Sequence, residues 1–352
     1  MKLPVFLVIA STVAGLVAGS LPQLGFYDWL YEQKAKVIYE RAKAQYFRRE
    51  MLEAMQNFEQ VKLWFDNSYW YMADIESYYG NHRCAVALFN TFLEHKPADA
   101  AGYNARAFER YLLHDYVGAL GDYTKAINLD KTNAEFLAHR AHMWHRLQAL
   151  DTALSDCNKA LKINPHHPYA LVVRGIVRSS RNEKKAAMRD YDLAIQYNPD
   201  YGYAYSIRGG QRTCNGDYKG ALKDHLKAVS LDPKNPDLLG DYGNILSLNG
   251  RMSEALIQLD RALSIDSNNQ MAYWHRGYVY DRLGELKKAL NDYDRTLELD
   301  PTWDPAYNRR GQVKFKLNDK VGAKRDFQTA LKYNQKWECA RDMLKKLEVE
   351  GF

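Results

Sequence analysis

Between residues 139 and 146 the chain reads HRAHMWHR, which sets His139, His142 and His145 at intervals of three. Imidazoles that converge can hold a metal ion. On a helix, however, each step of three residues displaces the side chain by about 60° around the axis, and no cysteine or carboxylate completes the set. No metal is expected here. With His166 and His167 in the loop that follows, the triplet reads as a polar wall able to change charge near neutral pH. A second polar series is longer. Arg106, Arg140, Arg174, Arg208, Arg276 and Arg310 each stand 16 residues before an aspartate: Asp122, Asp156, Asp190, Asp224, Asp292 and Asp326. These are either internal ion pairs or an arginine ladder for phosphate or carboxylate. The aspartates would already neutralise such a ladder. Nowhere does the chain carry a nucleophile motif, a glycine-rich phosphate loop or paired carboxylates, so neither catalysis nor a cofactor is expected.

The elements that must position these groups emerge from a period. Ala85, Ala119, Ala153, Ala187, Ala221, Ala255, Ala289 and Ala323 follow one another at steps of 34 residues. Twelve residues before each stands a small residue (Ala73, Ala107, Ala141, Gly175, Gly209, Gly243, Gly277, Gly311), where two helices can cross closely. Seven residues after each the residue is again small, apart from Phe92 and Thr296, which are expected to loosen packing locally. Proline closes five of the units, at Pro97, Pro165, Pro199, Pro233 and Pro301, where a helix must stop. In this register the arginines are seventh and the aspartates twenty-third. Two units lose both at once, holding Met72 and Leu88 or Tyr242 and Gln258 instead. Joint loss is the behaviour of a direct ion pair, because a half-buried charge without its partner is costly.

In period and in the placement of small residues, the chain resembles the tetratricopeptide repeat family, over residues 66–337 as eight 34-residue units beginning at Asp66, Ala100, Ala134, Pro168, Gly202, Pro236, Gln270 and Asp304. The resemblance implies an all-α fold, a right-handed α-solenoid of about eight to nine helical hairpins plus a capping helix at residues 338–352. Residues 26–65 form an aromatic helical segment in which Ala42, Ala54, Phe58 and Val61 reproduce part of the spacing as a possible degenerate repeat.

The family places function on a concave face lined by the first helix of each hairpin. Its inward positions here are Asn104, Phe108, Tyr111, His142, His145, Arg146, Tyr169, Ile176, Tyr203, Ser206, Asn244, Trp274, Tyr278, Asp281, Arg282, Asn308 and Gln312. Such a surface suits an extended peptide or partner helix, with aromatic anchors and side chains that satisfy main-chain or acidic groups. The lysine and asparagine clamp by which one family subtype holds chaperone tails is missing: Asn244 is suitably placed, but Gly240 replaces the lysine.

Residues 1–27 carry one charge, Lys2, with an apolar run from Val5 to Val17 and the small residues Ala18, Gly19 and Ser20. Residues 1–25 are therefore expected to be a signal peptide or a single amino-terminal membrane anchor. Cys84, Cys157, Cys214 and Cys339 match no zinc or redox motif and are expected as thiols. The net charge of +6 is spread along the chain, without the basic block of a nucleic-acid binder. These features lead to a non-enzymatic protein–protein interaction scaffold, membrane-associated or periplasmic/secreted, or anchored with its repeats facing the cytoplasm. Its expected setting is an assembly of the secretion, pilus, motor or polymer-export type, and the membrane is a partner through the amino-terminal segment if uncleaved. The alternative is a soluble chaperone-like adaptor for diverse clients.

Overall fold

A computed structural model describes residues 23–349 and 351, with side chains from Tyr31 onward. The expected signal peptide or anchor lies outside the described residues except for its last three, which begin the first helix. Among the described residues there are nineteen helices and no strand, and no helix is long and apolar enough to cross a membrane. The chain divides into two compact parts, ending and beginning at Asn164 and Pro165. The first holds α1 (Gln23–Phe47), α2 (Met51–Val61), α3 (Asn67–Tyr78), α4 (His82–His95), α5 (Ala100–Leu112), α6 (Tyr116–Leu129), α7 (Ala134–Arg146) and α8 (Leu150–Ile163). The second holds α9 (Pro168–Ser180), α10 (Lys184–Tyr197), α11 (Gly202–Cys214), α12 (Tyr218–Leu231), α13 (Pro236–Leu248), α14 (Met252–Ile265), α15 (Gln270–Arg282), α16 (Leu286–Leu299), α17 (Asp304–Lys316), α18 (Lys320–Tyr333) and α19 (Glu338–Val349). Consecutive helices pair as hairpins, and hairpins stack in chain order within each part, an all-α solenoid arrangement.

Local chemistry sets the helix ends. Asp99, Asn133 and Asn269 accept backbone N–H bonds at the starts of α5, α7 and α15. Each tight turn inside a repeat hairpin uses a left-handed residue at one register: Gly80, His114 and Gln148 in the first part, then Asn182, Gly216, Gly250, Gly284 and Asn318 in the second. The periodic alanines are all fully buried.

In the second part the small first-helix residue meets a bulky one from the second helix. A Cβ added at Gly175 would lie 2.3 Å from the Tyr191 ring, and one at Gly277 would lie 2.9 Å from the Tyr293 ring. In the first part alanines occupy the register, as with Ala73, which packs with Phe89. Phe92 does not loosen its surroundings, because the following helix offers Gly102, whose added Cβ would lie 2.8 Å from the Phe92 ring. Thr296 is fully buried and donates its hydroxyl to the Asp292 carbonyl oxygen at 2.8 Å, so its extra polar atom is satisfied.

The first and last hairpins among the described residues are covered by their own means. In α1–α2, Ala42, Ala54, Phe58 and Val61 are buried, Tyr39 stacks on Phe65 at 4.6 Å, and Phe58 stacks on Tyr71 at 4.9 Å. At the other end Ala340 and Leu347 of α19 pack into a cluster with Ala323 and Phe327 of α18.

Candidate partner-binding face

The frame that holds the first helices is ionic, and all six arginine–aspartate pairs form. Arg106 donates to both Asp122 oxygens at 2.8 and 2.6 Å, and Arg276 does the same to Asp292 at 2.8 and 2.7 Å. The other four pairs repeat this two-point grip. The aspartates are at most 4% exposed.

Two further features of the frame do not follow from the pairing alone. A second cation one turn along the first helix reaches the same carboxylate: Arg110 to Asp122, Arg178 to Asp190, Arg212 to Asp224 and Lys314 to Asp326. The free edge of the main arginine then reaches back to the preceding hairpin. Arg106 donates to Asn90 at 2.8 Å, Arg276 to Asp260 at 2.7 Å and Arg310 to Asp294 at 2.7 Å. The recurrence of a cation at the eleventh position was the sequence signal for the first feature. The second needs the spacing between hairpins.

On this frame the first part gathers one polar-aromatic cluster. The Tyr111 ring lies 5.7 Å from His142, 6.1 Å from Tyr116 and 6.3 Å from Phe108, and Phe108 is 46% exposed. His142 and His145 are 6.4 Å apart. The Arg146 guanidinium covers the Tyr116 ring at 5.6 Å and donates to its hydroxyl at 3.2 Å. Asn104 Oδ1 is 3.0 Å from His139 Nδ1, tying α5 to α7.

The expectation that this wall changes charge near neutral pH is corrected for His142. Burial, with His145, Arg146 and His139 adding to it, holds that imidazole down to about 4, so it stays neutral. Burial first and Arg146 second also lower His145. Among the described residues no His, Cys, Asp and Glu side chains group closely enough to hold a metal ion.

The second part distributes its candidates along several helices. Tyr169 and Tyr203 face each other across α9 and α11 at 6.4 Å. Ser206 on α11 donates to Asp241 on α13 at 3.1 Å, and Asn244 and Ile176 are partly buried nearby in register. Tyr278 contacts two arginines: Arg282 Nη1 approaches its hydroxyl at 3.4 Å, and the Arg309 guanidinium lies 5.3 Å from its ring. Arg309 also reaches Gln312 at 3.4 Å, and Asp281 pairs with Lys316.

Two candidates sit inside the packing. Trp274 is half-buried against Tyr293 at 5.5 Å and Trp303 at 5.2 Å. Asn308 is 4% exposed, with Oδ1 buried and without a hydrogen-bond partner among the described residues. Sequence reasoning passed over Asp241 and Arg309, the sixth residues of their units, because their register differs by one from the inward positions. Cys84, Cys214 and Cys339 are exposed free thiols, and Cys157 is buried.

Two tetratricopeptide repeat family profiles match, over residues 215–276 and 270–303. The small glutamine-rich tetratricopeptide repeat-containing protein of Dictyostelium discoideum is 40% identical over 57 residues, which are 16% of this chain and 17% of that relative. Among solved structures, the APC/C hetero-tetramer Cut9–Hcn1 matches with a TM-score of 0.68 at 14% identity, over 84% of this chain and 59% of that one. A monomeric mutant of IFIT1 with Gppp-AAAA matches with a TM-score of 0.65 at 14% identity, over 90% of this chain and 82% of that one. At such identity these likenesses show the fold alone. The chain spans less than two thirds of the length of the curated relative and of the Cut9–Hcn1 chain.

Proposed function

The chain is a tetratricopeptide repeat protein, and from that premise we propose that it is a non-enzymatic protein–protein interaction scaffold holding an extended segment or helix of a partner on its first-helix faces. One observation carries this reading. The arginines of the frame are consumed by aspartates, while among the described residues Phe108, Tyr278 and Arg282 remain on the first helices outside the core clusters and without a carboxylate partner, and Tyr111, which packs on the Ala107 and Tyr123 cluster, is only partly buried. Rigid aromatic side chains beside hydrogen-bonding groups are the composition of binding hot spots.

The setting we propose is a membrane or cell-envelope assembly of the secretion, pilus, motor or polymer-export type. It is supported by the apolar, nearly uncharged stretch in residues 1–27. A photo-crosslinking side chain at Phe108 or Tyr278 should capture a protein partner in cells, while the same group at the exposed second-helix residue Leu226 should not. Adducts only from Leu226 would overturn the proposed face. Membrane fractionation, with the mass of the mature amino terminus, tests the setting: a soluble chain that begins at Met1 would overturn it.

A further inference from the structure

We infer that the first-helix face of the second part is bipolar, with Asp241 seating a lysine or arginine side chain of the bound segment and Arg282 with Arg309 seating an aspartate or glutamate of the same segment. This rests on the reading of that face as peptide-binding and adds the ligand's charge pattern to it.

Asp241 is partly buried and differs from the buried aspartates of the same part. The buried aspartates Asp190, Asp224, Asp281, Asp292 and Asp326 each have an arginine or lysine within ion-pair distance. Among the described residues Asp241 has only the Ser206 hydroxyl, at 3.1 Å. Its surroundings add no positive charge. Burial raises its carboxyl to about 6, and the neighbouring Asp237 adds to the rise. A carboxylate partly withdrawn from water with no cation costs free energy that a ligand ammonium or guanidinium would recover. Asp241 is itself partly exposed, and one turn on from Ser206 a Cβ at Gly210 would meet nothing within 4 Å, so the helix surface there is open.

The arginines present the converse. Arg282 and Arg309 both engage Tyr278, and among the described residues neither has a carboxylate within ion-pair distance, whereas the frame arginines do. Two guanidiniums from successive first helices, one at the hydroxyl and one over the ring of the same tyrosine, can act together on a carboxylate. The Asp241 site lies between α11 and α13 and the arginine site between α15 and α17. At interhelical spacings of about 8–10 Å, the two are on the order of 20 Å apart, or roughly six residues of extended chain. Opposite charges at two fixed places also give the bound segment a direction.

Selection of a phage-displayed random peptide library on the full chain tests this. Enriched sequences should carry Lys or Arg and, about six residues away on one consistent side, Asp or Glu. Selection on Asp241→Asn should lose the basic preference and keep the acidic one, and selection on Arg282→Gln with Arg309→Gln should do the reverse. A peptide selected on the wild type should bind each variant at least about tenfold more weakly, with circular dichroism melts confirming that each variant is folded. Enriched peptides without the charge pair, or preferences unmoved by the variants, would overturn the inference and leave the peptide-binding reading standing. A library that yields no binder would overturn both.

Discussion

The neighbouring hairpins α13–α14 and α15–α16 share one backbone plan and hold their helices together by different chemistry. In α15–α16, Arg276 grips Asp292 and also reaches Asp260. In α13–α14 the same two registers carry Tyr242 and Gln258, and the hairpin relies on Leu239, Ile245, Leu246 and Leu259, each at most 1% exposed. Both keep a glycine against a bulky partner: a Cβ at Gly243 would lie 2.6 Å from Leu259, and one at Gly277 would lie 2.9 Å from Tyr293. The ion pair is therefore an interchangeable clasp, and the close helix crossing is the shared requirement. A clasp of leucines needs no cation, and the same hairpin carries Asp241, a partly buried aspartate with no cation within ion-pair distance among the described residues.

The largest effect should come from the apolar clasp. Leu259→Ala is expected to cost about 3–5 kcal/mol, because the cavity opens against Gly243, which has no side chain to fill it. A loss below about 1 kcal/mol in urea unfolding would show that packing does not replace the ion pair. Next, Arg276→Ala should cost about 1–4 kcal/mol, much of it from Asp292 left buried without a cation, and the double change Arg276→Ala with Asp292→Ala should cost less than the sum. Strict additivity in the double-mutant cycle would break the comparison from the other side.

Acid sharpens it further. Burial holds His142, His225 and His275 down to about 4, whereas the unfolded chain protonates them near 6.5. Between those values the unfolded state binds more protons, so stability falls as pH drops through 6.5 and levels off below about 4. Asp241, raised to about 6, acts in the opposite direction, since the folded chain takes its proton first. Three histidines outweigh one carboxyl. The urea midpoint should be lower at pH 5 than at pH 7, and His225→Phe, the residue type found as Phe327 at the same register, should remove about 2 kcal/mol of that loss. An unchanged pH dependence in that variant would overturn the assignment. The smallest effect is Asp241→Asn, expected to stabilise by about 1 kcal/mol at pH 7 and by progressively less as pH falls below 6. Destabilisation of similar size in thermal melts would mean that the carboxylate has an internal role.

Repeat length, helix pairing and the ionic clasp were legible in the sequence, because each is a local pattern multiplied by a period. Alanines at steps of 34 residues are confined to positions with no room for more, and an arginine and an aspartate lost together had to touch. What the tertiary structure alone decided is where one hairpin meets the next. Phe92 is harmless because Gly102 arrives opposite it from another helix. His142 loses its switch near neutral pH because its surroundings exclude water. Trp274, inward by register, is taken into the packing around Tyr293 and Trp303, and Asn308, also inward by register, is buried. Asp241 and Arg309 matter because of the partners they lack, and that cannot be read along a chain. Periodicity reports the face on which a residue lies, whereas burial and charge balance depend on side chains remote in sequence, which only the stacking of hairpins brings within reach.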